Sequence, residues 1–162
     1  MTKVITIIPA RAGSKSLLNK NILLLDSKPL LCHSVEYSLN ASEVSRTIVS
    51  TDSQEIAEIA KKCGAEVPFL RPLEYAQDET KDYPFMRHAL EYFDSIGEVY
   101  DIYILLRPTS PVRPPDLIKK TINIFASNPN ATSIRSVAKI KEHPYRSWSI
   151  NDDGSMSGLV KN

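Results

Sequence analysis

The chain has 162 residues, 42% of them hydrophobic and 24% charged, with 20 Lys and Arg against 19 Asp and Glu. That length suits one domain-sized core, and a formal charge of +1 excludes a global pull toward nucleic acid or an anionic membrane surface. The longest apolar runs, such as residues 102–106, are too short to span a bilayer, and no charged-then-apolar leader opens the chain, so a cytoplasmic protein without a membrane segment is expected.

Residues 3–9 form a continuous β-branched run without polar alternation, the pattern of a strand buried on both faces of a parallel sheet. Leu31, Val35 and Leu39 follow at four-residue steps behind Pro29, which suits the first turn of a helix. Residues 47–50 read as a second strand. A helix is expected over 53–63, with Asp52 and Glu55 at capping-box spacing, an apolar face of Ile56, Ile59, Ala60 and Cys63, and Gly64 as its stop.

A third strand is expected at 66–70, then a helix whose face carries Phe85, Met86, Ala89, Leu90 and Phe93 before Gly97. Residues 100–106 predict a fourth strand. After Pro114, Pro115 and Asp116 comes a fourth helix, with Leu117, Ile118, Ile122, Phe125 and Ala126 on one face, and 132–138 alternates as a fifth, edge-like strand. Strands alternating with helices predict a Rossmann-like α/β fold: a mostly parallel sheet with helices on both faces and ligands at the carboxyl ends of the strands. Beyond residue 139 the pattern frays into His143-Pro144 and a polar turn at residues 151–154, and the chain is expected to stop short of a complete domain. Cys32 and Cys63 lack CxxC spacing and fall in helical patterns, so both are expected as buried thiols.

Three clusters could carry chemistry, each at the end of a predicted strand. The first is the small-residue turn from Pro9 to Ser16, where Arg11 and Lys15 flank Gly13 and Ser14; its backbone N–H groups could cradle phosphate oxygens, and residues 1–30 hold five cations against Asp26 alone. An ordinary solvated basic loop explains the same residues about as well. It is neither a Walker loop nor a dinucleotide fingerprint. The second cluster, residues 105–113, sets Arg107, Thr109, Ser110 and Arg113 between prolines, either as a rigid ligand-facing turn or as a connection into the next helix. In the third, residues 70–80, Arg71 could read a carbonyl-bearing base edge or a phosphate, and Asp78 could pair with a cation or serve only as a cap or turn residue. No metal constellation and no nucleophile with a nearby base is recognisable.

Taken in order, IIPARAGSK (residues 7–15), NKNI (19–22), VSTD (49–52), LRP with AQDET (70–80) and LLRPTSPVR (105–113) resemble the acylneuraminate cytidylyltransferases, the CMP-sialic acid synthetase family. The resemblance implies a nucleotide-diphospho-sugar transferase type of fold. It also implies the reaction of CTP with an acidic nine-carbon sugar to give CMP-sugar and pyrophosphate, assisted by Mg2+. Carried onto matching positions, Arg11 and Lys15 are catalytic and, with Gly13 and Ser14, hold the triphosphate. Asn21 lies near the ribose and phosphates, Arg71 helps recognise cytosine, and Ala76 lends backbone contacts.

Arg107, Thr109, Ser110 and Pro111 shape the acceptor-sugar side, with Arg107 standing where the family usually has Gln. The family's metal-binding aspartates fall in a late D-x-D motif, so the Mg2+ ligands are expected beyond residue 162 and none is assigned within the chain. His143-Pro144 resembles a segment that reaches toward a partner subunit, which implies a homodimer of the full-length protein. The expected organisation is a nucleotide-binding domain over 1–140 and the start of an incomplete dimerisation segment over 141–162. A 3-deoxy-manno-octulosonate-type cytidylyltransferase and a non-catalytic nucleotide-binding domain of the same fold are the alternatives.

Overall fold

The computed structural model describes residues 2–14, 17–137 and 148–158. Val4–Pro9 (β1), the run predicted to be buried on both faces, is the central strand of a parallel three-stranded sheet. Arg46–Ser50 (β4) pairs on one side, with Ile7 opposite Ile48, and Ile102–Leu105 (β5) on the other, with Ile7 opposite Leu105. Because the two neighbours lie on opposite sides of β1, the chain reverses its winding there, and the loops leaving the three carboxyl ends part to leave a crevice.

Alternation along β1 sends its side chains to two separate cores. Ile8 joins Leu31, Cys32 and Val35 of Leu30–Leu39 (α1), Ile56 and Ala60 of Gln54–Lys62 (α2), and Ile118 of Leu117–Ala126 (α4). Ile5 and Ile7 face the other way, onto Phe85, Ala89 and Phe93 of Asp82–Ser95 (α3). Helices thus cover both faces, as an all-parallel sheet requires. The chain clusters into two compact units, Met1–Ile124 and Phe125–Asn162. The first holds the sheet. The second contains an antiparallel hairpin of Trp148–Ile150 (β6) and Met156–Gly158 (β7), turned by the polar residues 151–154. A second short hairpin, Leu24–Leu25 (β2) with Lys28–Pro29 (β3), leads into α1.

Four expectations are corrected. The strand expected at 66–70 is reduced to two isolated parallel bridges, Ile48 with Glu66 and Thr51 with Leu70. Glu66 N–H donates to Thr47 O and Val49 N–H to Glu66 O, but Pro68 has no N–H to continue the ladder, which resumes only when Arg71 N–H reaches Thr51 O at 2.7 Å. Residues 132–137 form no strand: Val137 is 90% exposed, so the alternation has no surface to bury against. Residue 138 lies outside the described residues.

The cap of α2 is Ser53, whose hydroxyl accepts from Ile56 N–H, and Asp52 turns elsewhere. Finally, Cys32 and Cys63 are joined in a disulfide. Their spacing of 31 residues gave no hint of it, but packing α1 against α2 sets the two Cα atoms 5.7 Å apart, within bridging range.

His88 on α3 stands edge-on to Phe69, ring centroids 4.6 Å apart, and its buried Nδ1 finds no hydrogen-bond partner among the described residues. Burial, and next the nearby Arg71 charge, push its pKa below the usual 6.5, while Glu91 and Glu74 oppose this. The unfolded chain therefore binds the proton more readily. Its contribution to stability is complete above pH 6.5 and falls as the pH drops from there toward the folded value. His88→Phe is expected to lose less Tm than the wild type between pH 7.5 and 5.5, and parallel melting curves for the two proteins would refute this.

Candidate functional site

The loops leaving the carboxyl ends of β1 and β4, with the segment that follows Leu70, converge on one cavity of about 220 Å³. It is lined by Arg11, Ala12, Gly13, Asp52, Leu73, Ala76, Gln77 and Asp78. The turn after β1 is held from two sides. Asp52, at the end of β4, accepts a hydrogen bond from Ala12 N–H at 2.8 Å, and the buried Asn21 amide donates to Arg11 O at 3.0 Å. Gly13 sits at φ +65° with open space where a side chain would project, so the backbone can turn there and a ligand can approach closely.

Arg11 sends its two terminal nitrogens into the 76–80 segment. Nη1 donates to Ala76 O at 2.9 Å and Nη2 contacts Asp78 Oδ1 at 2.6 Å. Asp78 is thus a partner for a cation, and the N-cap of α3 is Lys81. The fork is a geometry suited to two oxygens of a phosphate.

Arg71 lies deeper and does not line the cavity. It is only 4% exposed, its Nε donates to Ser50 Oγ at 3.0 Å and its Nη2 to Ser50 O at 2.6 Å, and its guanidinium stacks over Phe85, 4.5 Å from the ring centre. Burial pulls its pKa down to about 10, with Asp52 opposing and Arg11 adding to the effect.

On the other side of β1, Arg107 leaves β5 and pairs with Asp82, the first residue of α3. Thr109 and Ser110 are exposed in a turn closed by Ser110 N–H on Arg107 O, and Pro111 follows. This turn is clamped from behind by Arg113, which donates to Arg107 O at 2.6 Å and Ser34 Oγ at 3.1 Å and stacks on Tyr37. Tyr37 in turn donates to Pro114 O at 2.6 Å.

The structure brings Arg11, Gly13 and Ala76 together, sets Asn21 beneath them as a support, and places Arg107, Thr109, Ser110 and Pro111 on a separate loop after β5. Ser14 continues the Arg11 turn. Lys15 and His143-Pro144 lie outside the described residues. Sequence reasoning missed the Asp52 support of the turn after β1 and the Arg113 clamp. An aspartate at a strand's carboxyl end beside a small-residue turn was the available signal for the first. Among the described residues no group of three or more His, Cys, Asp or Glu side chains gathers to hold a metal, and Asp52 and Asp78 each accept a hydrogen bond through Oδ1, from Ala12 N–H and Arg11 Nη2.

A family model described as cytidylyltransferase matches residues 5–151. The chain is 40% identical over 138 residues to the N-acylneuraminate cytidylyltransferase of Escherichia coli, covering 85% of this chain and 32% of that protein. It is 36% identical to the CMP-N,N'-diacetyllegionaminic acid synthase of Legionella pneumophila, covering 95% and 66%, and 35% identical to a pseudaminic acid cytidylyltransferase of Campylobacter jejuni, covering 78% and 54%. The chain therefore spans from about a third to two thirds of the length of these curated relatives.

Solved structures with the same fold include a CMP:2-keto-3-deoxy-manno-octonic acid synthetase complexed with CTP, at TM-score 0.66 and 23% identity, covering 80% of this chain and 49% of that one. A 4-diphosphocytidyl-2C-methyl-D-erythritol synthase from Anaerococcus prevotii reaches TM-score 0.65 at 16% identity, covering 99% and 65%. With a family match over nearly its whole length on this parallel α/β sheet, the chain belongs to the cytidylyltransferase family.

Proposed function

We propose that this chain forms the CTP-binding part of an enzyme that joins CMP to an acidic nine-carbon sugar of the acylneuraminate type and releases pyrophosphate. The observation that carries the reading is Arg11, held in the turn after β1 beside the open backbone at Gly13, in a chain 35% to 40% identical to relatives named for this chemistry.

In this reaction the anomeric hydroxyl of the sugar attacks the α-phosphorus. A new P–O bond forms as the bond to the β-phosphate oxygen breaks, the hydroxyl proton passes to solvent, and pyrophosphate carries away the negative charge. The enzyme's task is to align the attack and neutralise charge on the phosphates, which needs no protein nucleophile. Arg11 and Lys15 do the neutralising, Gly13 and Ser14 offer backbone N–H groups, Asn21 orients the turn, and recognition of cytosine falls to the Ala76 backbone and to Arg71 beneath the cavity. Arg107, Thr109, Ser110 and Pro111 meet the sugar, and Arg107 adds a permanent charge suited to its carboxylate.

Residues beyond position 162 would hold Mg2+, which would supply further charge neutralisation at the phosphates. The full-length protein works as a cytoplasmic homodimer, with residues 1–140 binding nucleotide and 141–162 beginning the dimer segment. The structural likeness to an octulosonate-type synthetase makes that sugar the second acceptor to try.

Thermal unfolding with CTP, UTP, ATP and GTP, each with and without Mg2+, tests the nucleotide assignment. Ligand at about 100 times its Kd adds roughly 2.7 kcal/mol, or about 5 to 10 °C of Tm in a protein of this size. A rise confined to CTP is the expected result. Equal rises with all four nucleotides, or none with CTP, would overturn it.

A further inference from the structure

The carboxylate of Asp78 occupies the Arg11 fork that the CTP-binding reading assigns to phosphate. It holds Arg11 Nη2 at 2.6 Å while Ala76 O holds Nη1 at 2.9 Å, so the fork that would grip two phosphate oxygens is already filled by the protein. Among the described residues, the charged ones lining the cavity are Arg11, Asp52 and Asp78. Asp52 holds Ala12 N–H, and Asp78 is the carboxylate in contact with Arg11 Nη2, so an anion taking that nitrogen displaces the Asp78 contact. Both members of the Arg11–Asp78 pair are partly exposed, at 28% and 31%, and an ion pair of that kind is weak enough to be exchanged.

We propose that Asp78 is an exchangeable counter-ion for Arg11: it orients the guanidinium in the nucleotide-free protein, is displaced by the triphosphate, and returns to Arg11 as pyrophosphate leaves. The inference rests on the CTP-binding reading above and adds a regulatory element to that site. A phosphate chain bearing several charges competes with the carboxylate better than a single phosphate does, so Asp78 raises selectivity for triphosphate over monophosphate and hastens product release. Asp78 lies on the short segment after Leu73–Tyr75, outside the three-stranded sheet.

The test is calorimetric titration of the full chain with CTP, pyrophosphate and CMP, comparing wild type, Asp78→Asn and, as a control for charge alone, Glu79→Gln at the exposed neighbouring position. Asp78→Asn is expected to lower the Kd for CTP and pyrophosphate by about three- to tenfold, and for CMP by less, with the gain shrinking at 0.5 M salt. Glu79→Gln is expected to shift all three by under twofold. Unchanged or weaker CTP and pyrophosphate binding in Asp78→Asn, with wild type binding both, would overturn the counter-ion role alone. So would an equal gain in Glu79→Gln. If wild type binds neither CTP nor pyrophosphate, the CTP-binding reading fails and the counter-ion role falls with it.

Discussion

Arg11→Ala is expected to lower kcat/KM for CTP in the full-length enzyme by about 100- to 1000-fold, the scale seen when one preorganised donor to a developing oxyanion is removed. The argument is geometric. Arg11 is the charged residue that leaves β1 directly into the cavity, its backbone is pinned by Asn21 and by Asp52 through Ala12, and its fork already grips two oxygens at 2.6 and 2.9 Å. Truncation removes the cation and leaves Asp52 and Asp78 facing the incoming phosphates. Arg11→Lys keeps the charge without the fork and is expected to fall between the two. Since Arg11 is partly exposed and lies outside the cores, the variant's Tm should stay within about 3 °C of wild type, as for an exposed ion pair. Steady-state pyrophosphate release measures the outcome, and turnover within threefold of wild type in Arg11→Ala would remove Arg11 from the reaction.

Arg71→Met is expected to leave stability nearly unchanged while costing at least tenfold in CTP affinity. A cation that is 4% exposed and whose pKa burial pulls down to about 10 costs roughly 3 kcal/mol to keep charged in the interior. Its compensation is local: two hydrogen bonds to Ser50 and the Phe85 face, worth a few kcal/mol together. The two sums nearly cancel.

Ser50 O also accepts from Ala10 N–H at 3.0 Å, so a methionine of similar length would not orphan that carbonyl. A buried cation that adds little to stability is the kind of residue kept for a ligand. Thermal unfolding and CTP titration of the same variant separate the possibilities. A fall in Tm beyond about 6 °C would make Arg71 a structural residue, and unchanged CTP affinity would remove it from the nucleotide site.

Much of this was legible in the chain itself, for reasons that differ by residue. The unbroken apolar run of β1 declared burial on both faces, and the structure places it at the centre of the sheet with a core on each side. The helices over Leu30–Leu39, Gln54–Lys62, Asp82–Ser95 and Leu117–Ala126 followed from apolar periodicity and from Pro and Gly at their ends, signals that act over one or two turns. Residues 66–70 show where such signals fail. Their composition is that of a strand, but one missing N–H at Pro68 matters only once the partner's register is known.

The candidate site divides along the same line. That a strand runs into the small-residue turn of Arg11, Gly13 and Ser14, and that Arg107 follows a strand, depends on residue type and near neighbours, which the sequence determines by itself. That Arg11 meets Asp78 across 67 residues, that Asp52 supports Ala12 instead of capping α2, and that Cys32 bridges Cys63, were decided only by the tertiary structure. The physical reason is that a side chain's hydrogen-bond partner is whichever group the parallel sheet brings within about 3 Å of it, and the order in which strands pair sets that group.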